Sequence, residues 1–155
     1  MSKCCKLFKE KLNEGDQFYE SRSSVSENGK IFKLVTNSTD HVCKIKLDNG
    51  AIPTRSGKKQ CDYLLIKCTG HPISISKFFF IELKGSGENA NDGFYQIVGA
   101  LEYLKSKGIA IQRDKIFGVI VGGADTPKMN RLKEDFKKQH GHSLIHKTGK
   151  MYESS

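Results

Sequence analysis

The chain has 155 residues, with 26 Lys and Arg against 17 Asp and Glu, and a formal net charge of +9. At 37% hydrophobic and 28% charged residues the composition is neither low-complexity nor disordered, and the length suits one compact domain that needs no disulfide framework. The positive balance favours polyanionic partners, whereas no apolar run approaches bilayer-spanning length and no long basic amphipathic helix is present to lie on a membrane.

Met1 to Leu12 is charged throughout and lacks the apolar core of a signal peptide. A cytoplasmic protein with Cys4, Cys5, Cys43, Cys61 and Cys68 reduced is therefore expected. Cys61, Cys68 and His71 lack the paired spacing of a structural zinc site.

Lys3 to Asn13 reads as a short helix, with Cys4, Cys5, Phe8 and Leu12 on one face. Ser21 to Gly29 is polar and reads as a flexible loop, followed by a brief strand pattern over Lys30 to Thr36. Val42 to Leu47 alternates as a strand, and Asp48-Asn49-Gly50 turns it. Cys61 to Cys68 is nearly continuous in apolar residues, the mark of a central strand covered on both faces. Thr69-Gly70-His71-Pro72 is a turn, and the apolar run through Phe78-Phe79-Phe80-Ile81 follows it.

Phe94 to Lys107 repeats Phe94, Ile97, Val98, Leu101 and Leu104 at helical spacing and stops at Gly108. Ile116 to Val121 is a short buried strand. Asp125-Thr126-Pro127 is a helix start, with Met129, Leu132 and Phe136 on the apolar face of the helix that follows. Ser143 to His146 reads as a last strand, and His140, His142 and His146 as surface histidines. The order predicts a mixed α/β domain, a central mixed β-sheet flanked by helices.

The apolar run ends in Glu82-Leu83-Lys84-Gly85. Strand side chains alternate faces, so Glu82 and Lys84 point the same way. A hairpin regular about Pro72 sets Asp62 opposite Glu82, and directly opposed residues share a face. A bulge would shift that register by one residue and separate the two. Glu-x-Lys by itself is common at exposed strand ends. Two opposed carboxylates are different, because they repel unless a cation sits between them, and a hard divalent ion, Mg²⁺ or Mn²⁺, suits oxygen ligands. An amine beside such an ion can orient a water, and the set suits phosphodiester hydrolysis.

In these residues, Cys61-Asp62-Tyr63-Leu64-Leu65-Ile66 and Phe80-Ile81-Glu82-Leu83-Lys84-Gly85, the chain resembles the PD-(D/E)xK nuclease superfamily. The departure is Cys61 where the eponymous proline stands. The resemblance covers about residues 41 to 121. It implies a restriction-endonuclease-like fold with an αβββαβ core, with Asp62, Glu82 and the Leu83 carbonyl holding Mg²⁺ and Lys84 positioning the attacking water. It further implies an acidic residue near the first helix, for which Glu10, Glu14 and Glu20 are candidates and Glu14 lies nearest the flank of the apolar face. Gln96 sits where many members carry a glutamine on the following helix.

Arg55, Lys58 and Lys59 lead into Asp62 and are placed to hold phosphate. The basic residues of the last helix read as a solvated face. The expected protein is a small metal-dependent nuclease acting on DNA rather than RNA, in phage defence, restriction or repair. A catalytically silent nucleic-acid-binding or partner protein on the same fold is the other reading. Nothing resembles a separate sequence-reading module, so specificity would come from nucleic-acid structure, a homodimer or a protein partner.

Overall fold

A computed structural model describes residues 1–12, 15–53, 60–85 and 87–155. It contains α1 (Lys3–Leu12), β1 (Tyr19–Glu20), β2 (Ser24–Glu27), β3 (Lys30–Leu34), β4 (His41–Lys46), β5 (Tyr63–Thr69) and β6 (Ser74–Leu83). Then come α2 (Ala90–Ser106), β7 (Ile116–Val121), α3 (Pro127–His140), β8 (Ile145–Lys147) and β9 (Met151–Ser154). Six strands form one sheet in the order β1-β4-β5-β6-β7-β8, and β2-β3-β9 form a second. β6 is antiparallel to β5 and parallel to β7, so the main sheet is mixed.

Alternation along β6 sets the layers. Phe78 and Phe80 face a core shared with Phe8 of α1, Ile97 of α2 and Phe136 of α3. Phe79, Ile81 and Leu83 face Val25, Phe32 and Leu34 of the small sheet. Helices thus flank the mixed sheet as expected, but the three helices of the described residues all lie on one face, and a three-stranded sheet covers the other. The structure corrects the flexible loop expected over Ser21 to Gly29, which contains β2 and its turn. Val25 is the one apolar residue of β2, so the segment reads as polar although its single anchor is fully enclosed. Asn28 and Gly29 turn the hairpin at φ of 54° and 73°, the left-handed pair a two-residue turn requires.

The expected reduced state of the cysteines is corrected for four of the five. Cys4 is bonded to Cys68 and Cys5 to Cys43, fastening α1 to β5 and β4, and only Cys61 is free. The apolar face of α1 lies on these two strands, so its adjacent cysteines each meet one. No helix among the described residues is long and apolar enough to cross a membrane.

The β5–β6 hairpin departs from a regular fold about Pro72. Near the turn Thr69 pairs with Ser74 and Cys68 with Ile75, a centre between residues 71 and 72. Ser76 is then bulged out, its hydroxyl donating to the Lys67 carbonyl at 3.0 Å. From Lys67–Lys77 to Tyr63–Ile81 the pairing is centred on Pro72. The bulge therefore restores the register that a regular turn would have set.

Candidate active site

One step beyond Tyr63–Ile81, Asp62 stands level with Glu82. The Asp62 N–H donates to Glu82 Oε1 at 3.0 Å, and the Leu83 N–H donates to Asp62 Oδ2 at 2.9 Å. These bonds hold both carboxyls at the end of the sheet, close enough for each to act on the other's charge. Glu82 is 3% exposed and Lys84 7%. Lys84 Nζ lies 3.1 Å from Glu82 Oε2 and donates to Gln96 Oε1 at 2.6 Å. A buried ammonium is tolerated only with such partners. The Lys84 main chain is fixed by its own N–H, which donates to the Val121 carbonyl of β7 at 2.8 Å. Gly122 follows at φ 92°, and a β-carbon there would lie 2.2 Å from the Lys84 carbonyl oxygen.

Burial and, after it, the Glu82 charge push the Asp62 carboxyl up to about 7, against the Leu83 N–H bond. Burial also raises Glu82, opposed by its bonds to Asp62 and Lys84. Both groups are hard oxygen donors carrying a surplus of negative charge when ionised. That fits a divalent cation, which would offset both charges. Among the described residues no three His, Cys, Asp or Glu side chains converge as a ready-made cage. Two carboxylates and a carbonyl remain a reasonable set for Mg²⁺, which keeps several of its waters. Cys61, next to Asp62, is enclosed, and burial together with the Glu82 and Asp62 charges pushes its thiol well up, so it is no nucleophile.

Of the residues expected at the site, Asp62, Glu82, Leu83, Lys84 and Gln96 are brought together. Glu14, Arg55, Lys58 and Lys59 lie outside the described residues. Two residues were missed. Glu27, at the end of β2, lies near enough for the Asp62 charge to act on it: burial, followed by that charge, raises its pKa. Asn28 Nδ2 donates to the Leu83 carbonyl at 3.0 Å. The Asn28-Gly29 dipeptide was the available signal, since it marks a hairpin tip. His146 is also not a surface residue: its side chain is 1% exposed and its Nε2 meets the Gly122 and Gly123 carbonyls at 3.0 and 3.2 Å.

Comparison with protein-family models, with curated proteins and with solved structures gave no match to this chain.

Proposed function

We propose that the protein is a divalent-cation-dependent nuclease of PD-(D/E)xK type on a restriction-endonuclease-like core, acting on DNA in preference to RNA. The observation that carries this reading is the enclosed Lys84 ammonium, gripped by Glu82 and Gln96 beside the Asp62–Glu82 pair. A structural ion pair needs no second carboxylate aligned across the hairpin, whereas a site for a divalent cation does.

Asp62, Glu82 and the Leu83 carbonyl would hold Mg²⁺ or Mn²⁺. Such an ion supplies charge for the phosphate oxygens and a water of lowered pKa. Lys84 orients the attacking water and offsets charge on the phosphate in the transition state. Gln96 fixes the ammonium, so little reorganisation is needed as charge develops. The net charge of +9 draws the polyanion toward the surface. Target choice would then rest on nucleic-acid structure, a second copy of the chain or a protein partner.

The test is cleavage of supercoiled, linear, single-stranded and branched DNA and of RNA, with Mg²⁺ or EDTA, by wild type, Asp62→Ala and Lys84→Ala. Cation-dependent cleavage of DNA that both substitutions abolish is expected. Unchanged activity in either variant would sink the mechanism, and an inert wild type on every substrate would favour a binding protein.

A further inference from the structure

Tyr95 is the one aromatic side chain among the exposed large apolar residues described, at 38% exposure. It directly precedes Gln96, whose Oε1 holds the Lys84 ammonium, so the ring stands beside the candidate active site. Phe94 meets the Tyr95 ring edge-on, with centroids 5.1 Å apart, and the ammonium of Lys128 in the first turn of α3 lies 5.4 Å from the ring centre. The joint beneath this pair is fixed. Thr126 Oγ1 donates to Asn91 Oδ1 at 2.8 Å, and Asn89 bridges to Ala124, so the starts of α2 and α3 are tied together.

A second lysine flanks the site from the opposite layer. The β-carbon that would meet the Lys84 carbonyl at Gly122 would also lie 2.6 Å from Lys30 Cε. The Lys30 stem therefore runs beside the Lys84 main chain, from the small sheet. Neither Lys30 nor Lys128 is paired with a carboxylate among the described residues. Such ammonium groups suit phosphates. An exposed ring suits a nucleobase, since every base has a π-face. Glu88 and Asp92 precede Tyr95 and carry the opposite sign, so on that flank the ring rather than charge must supply affinity. The bases of a duplex are stacked inside it and reach such a ring only when unpaired.

We infer that the substrate is engaged as a single strand crossing this end of the main sheet. One base stacks on Tyr95. Lys128 and Lys30 take phosphates on either side of the one that meets Lys84. The helix layer and the small sheet thus each supply one phosphate contact. A duplex offers phosphates to the lysines but no base to the ring, so a single strand binds more tightly than a duplex of the same sequence. The inference deepens the nuclease reading above and rests on it.

Fluorescence anisotropy of the full chain with a labelled single-stranded DNA oligonucleotide and its duplex, in EDTA over a range of salt concentrations, tests it. Tyr95→Leu should weaken single-strand binding about 10-fold, the lower end of stacking effects, and leave duplex binding and melting temperature unchanged. Tyr95→Phe, which keeps the ring, should bind like wild type. Lys30→Gln and Lys128→Gln should each weaken binding and reduce the slope of log affinity against log salt by about 0.7. Lys138→Gln, which removes the same charge about 15 Å further along α3, should change both less. Wild-type single-strand affinity in Tyr95→Leu, or equal effects of Lys128→Gln and Lys138→Gln, overturns the inference, and Mg²⁺-dependent cleavage by wild type would leave the nuclease reading standing. Single-strand binding that depends on Tyr95, with no cleavage under any condition, upholds the surface and overturns the nuclease reading. A wild type that neither binds nor cleaves overturns both.

Discussion

Asp62 and Glu82 each use a side-chain oxygen to hold a main-chain N–H of the facing segment: Glu82 Oε1 takes the Asp62 N–H, and Asp62 Oδ2 takes that of Leu83. The carboxyls are therefore placed by the backbone, not by a bound ion. Their proximity must persist without a cation and carry an electrostatic cost that pH can expose.

The cost sets a pH dependence. The Asp62 carboxyl is raised from an ordinary 3.8 to about 7 in the folded protein. Between those values the folded state holds a proton that the unfolded chain has released, so stability is greatest below the lower value and falls as pH rises toward the upper one. In EDTA, urea denaturation should show a loss of about 2 kcal/mol from pH 4 to pH 8, a figure reduced from the full shift because Asp62 is part-exposed to solvent screening. Asp62→Asn should flatten the profile. A wild-type profile flat over this range would show that neither burial nor the Glu82 charge raises the Asp62 carboxyl.

The disulfides make a chemical prediction. Thiol titration of the native protein should find no reactive group, one after denaturation (Cys61) and five after reduction. The bridges close separations of 64 and 38 residues. Replacing either pair by serine should cost roughly 2–4 kcal/mol in denaturant titrations. Five reactive thiols in the unreduced, denatured chain would remove the staples from the account.

The bulge predicts a contrast between deletion and insertion. Deleting Ser76 leaves Lys67 opposite Lys77 and every pair beyond it in place, so Mn²⁺ binding should survive. Inserting one alanine between Phe79 and Phe80 turns Glu82 and Lys84 to the opposite face, and binding should be lost. Circular dichroism shows whether each variant is folded. Retention of binding by a folded insertion variant would contradict the register argument.

Gly122→Ala should cost about 1–3 kcal/mol, from the positive φ and the collision with the Lys84 carbonyl. The substitution touches no proposed ligand. Its effect on cleavage should exceed that of an equally destabilising change in α3, because what it displaces is Lys84. Equal effects would argue that the glycine serves stability alone.

The sequence made the centre of the fold legible and left its outer layer hidden. Phe78 to Ile81 and Tyr63 to Ile66 announce paired strands through apolar continuity, and the helical repeat from Phe94 to Leu104 leaves little ambiguity. The pairing of Asp62 with Glu82 was reached from a fold centre one half-step off at the turn, and Ser76 compensated. β2 and β9 carry mostly polar residues, and their burial depends on contacts distant in sequence: Val25 opposite Phe32, Tyr152 beside Phe32. Periodicity cannot report such contacts. Nor could spacing pair Cys4 with Cys68, since the partners meet only once α1 lies across β5. Glu27 was invisible for the same reason as its strand.

β6 is a seam between the antiparallel and parallel halves of the main sheet. Asp62 reaches Glu82 from the half that is synthesised first. Lys84 gains its Gln96 partner and its Val121 anchor only from the half that follows. A chain halted after the first half would hold two repelling carboxyls and a loose lysine. The full arrangement of charges thus coincides with completion of the fold.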